Sequence, residues 1–439
     1  MASLVTESRV DDTVVHPAPS KRARRLFPWV VFALTFALLL SDYMSRQVLS
    51  SVFPFLKLEW ALTDTQLGGL VSVVSLTVAV LAVPLSLLGD RWGRVRSIVL
   101  MASIWSLATL GSAIAANYEQ LMLARVFIGV GEAAYGSVGL AVVLAVFPVY
   151  RRASLTGAFL AGGSFGSVLG VALGGALAVQ FGWRWSFAAM ALVGLVLVVL
   201  YRLFITDKKL DAHRVDDVAE GESVVAPGGR AKLRTLFSTP SVIAAYVGSG
   251  LQLFIAGSLF AWLPSYLNRA YGLAPDKAAG VAAIAILFMG TGMIVCGAVT
   301  DRLARTVAIR KWTTAIVYTT ASLVFLGVGF SLPHGGAQLL LLAIGVFFAA
   351  GTAGPAGAMV ANLTHESIRA TALGTLSLAN NLLGLAAGSL ITGILADEFG
   401  LVGAMKIVPI VAVGALIALL IGRKYYARSL AKVNAAGTR

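Results

Sequence analysis

Twelve apolar runs, spread between positions 29 and 422, constrain this chain more than any other feature. Each is roughly 20 residues long, enough to cross the hydrocarbon layer of a bilayer as an α-helix. Helix is the form expected there, because it satisfies its own backbone hydrogen bonds without water. The chain is 58% hydrophobic and 12% charged over 439 residues, too apolar for a water-soluble fold. The expected fold class is therefore an all-α membrane protein with twelve transmembrane helices. The boundaries read as an N-terminal tail at 1–25, a first six-helix bundle at 26–205 and a polar linker at 206–237. A second six-helix bundle at 238–422 and a C-terminal tail at 423–439 complete the chain. The first 25 residues lack the apolar core of a cleavable signal and read as a retained tail.

The net charge of +14 is unevenly placed. With the N-terminus inside, 27 of the 34 Lys and Arg fall on the cytoplasmic side, the positive-inside pattern. Both termini are thus expected in the cytoplasm. The basic balance belongs to topology and to anionic membrane lipid rather than to nucleic acid. The single cysteine, Cys296, precludes an intrachain disulfide. No phosphate loop, zinc-protease motif or metal-ligand cluster is present, so no enzyme, cofactor or metal is expected. Gly162–Gly166 spells a nucleophile elbow, but inside an apolar helix it lacks the strand–turn–helix setting that motif requires.

Four ionisable residues interrupt the apolar runs of the first half: Asp42 and Arg46 in the first, Arg125 and Glu132 in the fourth. A charge at the bilayer centre costs at least about 2.5 kcal/mol, so such residues mark function. The spacings of four and seven residues put each acid on one helical face with its base, and predict the pairs Asp42–Arg46 and Arg125–Glu132. Counting along the helices sets both acids near the membrane centre. A carboxyl in low dielectric favours its protonated form and a guanidinium nearby favours its ionised form, which suits a proton-coupling group. In the second half the candidate cavity groups are Gln252, Ser258, Thr352, Asn380 and Asn381, set among Phe254, Phe260, Trp262, Phe288, Phe347 and Phe348. One polar half facing one apolar half suits an amphipathic ligand.

The halves repeat. A shift of 211 residues places Leu62 on Leu273, Gly69 on Gly280, Asp90 on Asp301, Arg91 on Arg302 and Arg94 on Arg305. Two related bundles imply a substrate site between them near the midplane. The repeated loop, Ser86 through Arg94 and again Gly297 through Arg305, resembles the G-x-L-A-D-R-x-G-R signature of the major facilitator superfamily. That resemblance implies the major facilitator fold, with two pseudo-symmetric bundles. It also implies a gating role for Asp90, Arg91, Gly93, Arg94, Asp301, Arg302 and Arg305. The fifth run carries Gly162, Gly166, Gly170 and Gly174 at four-residue steps, a groove for close helix packing. It resembles the family's glycine-rich fifth helix, with Val171 where antiporters have proline.

Arg125 through Tyr135, with Gly129, Gly131 and Glu132, resembles the R-x-x-x-G-x-G-E-A-x-Y fourth helix of spinster-like transporters. Asp42 through Gln47 is similar to their N-Y-x-D-R-Q pattern, with the family acid's position held by Ser45 and the carboxylate displaced to Asp42. The resemblance implies a proton-coupled transporter working by alternating access on a small, amphipathic, lysophospholipid-like substrate. Glu132 and Asp42 would couple protons, while Arg46, Arg125, Tyr43, Tyr135, Gln252, Asn380 and Asn381 would bind substrate or complete the charge network. A multidrug or organic-ion efflux pump is the alternative, and a non-transporting lipid sensor or scramblase the second. The Ala/Val/Gly-rich composition and short loops point to a bacterial inner membrane, and a monomer is expected.

Overall fold

The computed structural model describes residues 21–213 and 239–437; the side chains at 21–25, 87, 89, 90, 149, 153, 366, 367, 370 and 432–437 are outside the description. The tail at 1–20 and most of the expected linker, 214–237, therefore lie outside it as well. Among the described residues every regular element is a helix. The first part of the chain forms α1 (Lys21–Trp60), α2 (Asp64–Trp92), α3 (Arg94–Ile114), α4 (Tyr118–Glu132), α5 (Tyr135–Ala145), α6 (Val149–Phe181), α7 (Trp183–Phe204) and the short α8 (Asp207–Ala212). The second part forms α9 (Pro240–Tyr271), α10 (Pro275–Ala304), α11 (Arg310–Ser331), α12 (Gly336–Ala349), α13 (Ala353–Asn362), α14 (Glu366–Ala379), a π-helix (Asn380–Ala386), α15 (Ala387–Ile407) and α16 (Val411–Gly437).

Eleven stretches among the described residues are long and apolar enough to cross a bilayer. The last, Thr371–Ala431, runs for 61 residues, far beyond one crossing. Gly400 interrupts it at φ 70° and ψ 157°, a shape only glycine takes at little cost. The expected runs at 371–395 and 404–422 lie on either side of that glycine.

Local signals account for several helix starts. Thr63 and Gln66 form a reciprocal capping box at the head of α2. Proline stands in the first turn of α9 and α10, where its missing N–H is harmless. Two crossings break midway: α4 gives way to α5 directly after Glu132, and α12 to α13 over residues 350–352.

The glycine groove of α6 receives α1. A Cβ on Gly166 would stand 2.7 Å from the Leu40 carbonyl oxygen, and one on Gly170 would stand 2.7 Å from that of Met44. One apolar core, with Trp105, Tyr135, Phe159 and Tyr201, belongs to the first set of helices. A second, with Tyr246, Trp312 and Tyr426, belongs to the later set. The largest core joins both, through Phe53, Leu56, Trp262, Tyr266 and Phe330. It lies toward the end of the molecule that carries Trp60 and Asp64, where α2 packs along α15. Toward the opposite end α2 scarcely meets α14, and the two sets part. We call these the clasped and the open end.

Candidate functional site

A cavity of about 830 Å³ lies between the two sets of helices. From the first set it is lined by Asp42, Tyr43, Arg46 and Glu132, with Leu39, Val78, Ala79, Ala82, Val83 and Ser86 extending toward the open end. From the second set come Thr371, Thr375, Ser377 and Asn381, with Leu378 and Leu385. Two of the expected acids and one expected base thus meet in a single cleft.

The pairing differs from the one spacing predicts. Arg46 reaches across to α4, where its Nη1 lies 3.6 Å from the Glu132 carboxylate. Its Nη2 donates to Ser75 of α2. Asp42 makes no ion pair among the described residues, and one of its carboxylate oxygens is buried without a hydrogen-bond partner. Glu132 also keeps one unpartnered oxygen. Tertiary packing overrides the within-helix pairing because α4 presents Glu132 at the same depth, on the face of α1 that turns to the cavity.

Arg125 occupies a different position from the one expected of a substrate ligand. It is completely buried, is not among the cavity-lining residues and makes no ion pair with Glu132 within 4 Å. Its guanidinium donates to three backbone carbonyls: Leu70 at 3.3 Å, Ser45 at 3.2 Å and Arg46 at 3.1 Å. It ties α4 to α1 and α2 at the level of the site. Tyr135 is likewise buried, donating to the Thr35 carbonyl at 2.6 Å and packing on Trp105 at 4.9 Å between ring centres. Tyr43 lines the cavity, its ring seated against Gly163.

In the second set, Asn381 lines the cavity and donates to the Ser377 carbonyl at 3.0 Å. Its neighbour Asn380 is not among the lining residues and keeps a buried, unpartnered carbonyl oxygen. Both sit in the π-helix, a form concentrated at functional positions. Gln252 points elsewhere, donating to the Ala349 carbonyl at 3.0 Å beside the break between α12 and α13. None of Phe254, Phe260, Trp262, Phe288, Phe347 and Phe348 lines the cavity. Trp262 is part of the shared core, where it donates to the Ser389 carbonyl at 2.9 Å and packs on Phe53. The expected aromatic wall is instead a short wall of hydroxyls and leucines.

Sequence reasoning missed the clasp. Asp64, buried at the head of α2, takes a bidentate pair of bonds from Arg269 of α9, both at 2.7 Å, and a third from Lys57 at 2.6 Å. Asp397 of α15 accepts from the backbone N–H groups of Asp64 and Thr65, each at 2.8 Å. A carboxylate there satisfies two orphan donors and complements the helix dipole. Ser72 adds a bond of 2.6 Å to the Ala386 carbonyl, again across the two sets. The only signal in the sequence was the capping box that marks where α2 begins.

Of the expected gating residues, Gly93 adopts φ 89° at the joint between α2 and α3, where glycine is required. Arg91 is exposed, and Arg94 borders a cavity of about 330 Å³ with Asp207 and Asp211 of α8. The Asp90 side chain lies outside the described residues. Asp301, Arg302 and Arg305 are exposed and make no ion pair among the described residues.

The sequence profile of the Major Facilitator Superfamily matches residues 35–346. The chain belongs to this superfamily. Within it, the chain is 30% identical over 292 residues to a probable L-galactonate transporter of Escherichia coli (strain K12), covering 65% of this chain and 64% of that protein. It is 24% identical over 365 residues to the hexuronate transporter of Bacillus subtilis (strain 168), covering 82% and 86% of the two chains. Protein spinster homolog 1 of Homo sapiens is 28% identical over 233 residues, or 52% of this chain and 44% of its own length. The match thus spans less than two thirds of the first and third of these relatives. A crystal structure of a bacterial homolog of the human lysosomal transporter Spinster, inward-facing and unoccupied, has the same fold. It superposes with a TM-score of 0.77 over 95% of this chain and 99% of that one, at 19% identity. The relatives named here are transporters, and within the superfamily this chain resembles the spinster-like members.

Proposed function

We propose that this protein is a proton-coupled secondary active transporter that works by alternating access on an amphipathic organic anion. The observation that carries the reading is Arg46, a cation facing the cavity and held by Glu132 of the neighbouring helix on the same wall. While Glu132 is ionised, its charge occupies Arg46. Protonation of Glu132 releases the guanidinium, which then receives the anionic group of a substrate. Asp42, beside it and without an ion-pair partner, is the second proton-accepting group. The apolar strip of Val78, Ala79, Ala82 and Val83, opposite Leu378 and Leu385, supports a substrate with a hydrocarbon part. A lysophospholipid meets these requirements.

The second reading is a small polyhydroxylated acid. Thr371, Thr375, Ser377 and Asn381 favour it, since they offer hydroxyl and amide groups to such a ligand. The similarity to L-galactonate and hexuronate transporters supports it too.

The positive-inside distribution supports a topology of twelve crossings with the open end and both termini in the cytoplasm, and a monomer in a bacterial inner membrane is part of the same proposal. The conformation is then inward-facing. Asp90, Arg91, Arg94 and their counterparts Asp301, Arg302 and Arg305 brace the opposite state, in which the open end closes.

Uptake by proteoliposomes under an imposed pH gradient tests this, with lysophosphatidate and galacturonate as probes. One of the two should accumulate, and Glu132→Gln should abolish gradient-driven uptake while leaving exchange of labelled for unlabelled substrate. Gradient-driven uptake that survives in Glu132→Gln overturns the proton role. Uptake of cationic dyes in place of both acids would favour an efflux pump, lipid flux indifferent to the pH gradient a scramblase, and absence of any flux a sensor.

A further inference from the structure

On the side of α1 turned away from the cavity, polar groups are enclosed without partners. Ser41 and Ser45 of α1 and Ser106 of α3 are at most 1% exposed, and none of their hydroxyls is hydrogen-bonded among the described residues. The indole nitrogen of Trp105, beside Ser106, is unpartnered as well. Ser41 and Ser106 are aimed at one place: both hydroxyls crowd the point where a side chain on Gly194 of α7 would begin. Ser41 and Ser45 stand one turn apart and flank Asp42 in the chain. Buried polar groups in this number are normally satisfied, by protein or by enclosed water.

The polar surface continues along α3. Ser106, Thr109 and Ser112 follow at three-residue steps, all fully buried, toward the clasped end. Thr109 donates to the Trp105 carbonyl at 2.7 Å and Ser112 to the Ala108 carbonyl at 3.1 Å, so each keeps its oxygen lone pairs for a further donor. The clasp of Asp64, Arg269 and Asp397 shuts this end between the two bundles. The hydroxyl stripe runs inside the first bundle, behind that seal.

We propose that Ser41, Ser45 and Ser106 hold a short file of water that brings protons to Asp42 through the first bundle, apart from the route taken by substrate. The proposal rests on the proton-coupled reading above. In each step an oxygen accepts a proton on a lone pair and releases its own to the next. The net result is one proton on the Asp42 carboxylate, taken from a hydronium ion at the clasped side, which is left as water, with every hydroxyl and water of the file restored. The ionisable groups around Asp42 are Tyr43 and Arg46 of α1, Glu132 of α4 and Tyr135 of α5, with Arg125 beyond Glu132 and Tyr201 of α7 beyond Tyr135. The buried face of α3 adds hydroxyls and an indole, and no carboxylate. Because Asp42 also borders the cavity, a proton delivered by the file can occasionally pass on to the cavity, so the protein should show a slow proton leak without substrate.

Pyranine-loaded vesicles of phosphatidylethanolamine and phosphatidylglycerol, with and without the protein, test this under a pH gradient and no substrate. Wild type should pass protons faster than protein-free vesicles. Ser41→Ala combined with Ser106→Ala should cut that flux about tenfold, a barrier increase of roughly 1.4 kcal/mol. Ser106→Ala alone, which removes one hydroxyl, should lower it in part, and Asp42→Asn should stop the flux. Substrate exchange, which moves no net proton, should stay within about twofold in both serine variants, confirming that they fold. A wild-type flux no greater than the protein-free control, or one unchanged in the serine variants, overturns the proposal. Failure of the transport reading is seen separately, as gradient-driven substrate uptake that survives Glu132→Gln.

Discussion

Asp397 caps a helix that begins 333 positions earlier in the chain: its carboxylate accepts the backbone N–H of Asp64 at 2.8 Å. The Asp64 side chain, in turn, is held by Arg269. Each acid thus contributes a different part of one closure, Asp397 on the helix dipole and Asp64 on a guanidinium. Replacing Asp64 by Ala leaves Arg269 without its partner. Arg269 is partly exposed, so losing its charge-assisted bonds costs about 1.5–3 kcal/mol, and the loss falls on the clasped state. The expected outcome is a population shift toward opening at that end, read as a longer spin-label distance between α2 and α15. An unchanged distance distribution would remove the clasp from the gating mechanism.

Gly170 tests the groove between α1 and α6. A methyl group there meets the Met44 backbone, with Cα at 2.8 Å, and neither helix can yield without moving the other. Gly170→Ala should lower stability by about 1–3 kcal/mol, the usual range for overpacking. Thermal unfolding in detergent measures it. Gly157, with open space around it, is the matched control and should be nearly neutral on replacement by Ala.

Arg125→Lys separates a positioning residue from a substrate ligand. One ammonium cannot reach three carbonyls on two helices as the guanidinium fork does. We expect stability to fall by about 2 kcal/mol, from the charge-assisted bonds lost. Transport should slow at every pH with the midpoint of its pH profile unchanged, whereas a displaced midpoint would place Arg125 in the proton circuit.

Gly400 should not tolerate a side chain. Its φ of 70° with ψ 157° belongs almost wholly to glycine, and Gly400→Ala should cost about 1–3 kcal/mol. Nothing crowds the position, so the loss is conformational rather than steric. A variant as stable as wild type would mean that the backbone there relaxes freely.

The membrane-spanning character, the glycine groove and the meeting of Asp42, Arg46 and Glu132 were legible because each depends on local pattern. Run length reports a crossing, four-residue glycine steps report a groove, and a charge inside an apolar run reports a site. Pairing was not legible. The four-residue step from Asp42 to Arg46 suggests a contact within one helix, yet Arg46 turns to Glu132, whose depth and facing depend on how α4 packs. The partners of Asp64 were hidden for the same reason: Arg269 and Asp397 lie 205 and 333 positions away. The aromatics of the second half illustrate a further limit. Composition places Trp262 among candidate wall residues, but only packing decides between cavity and core.

The geometry of α2 has a mechanical consequence. Its first turn is pinned by Asp397, while Ala82 and Ser86 farther along border the cavity. From Asp64 to Ser86 the axis extends about 33 Å at 1.5 Å per residue. A swing of about 10° around the pinned turn would carry the free end roughly 6 Å over that length. The helix is thus a lever whose fulcrum is supplied by the other bundle, and the width of the entrance is set by an angle rather than by any contact at the entrance itself.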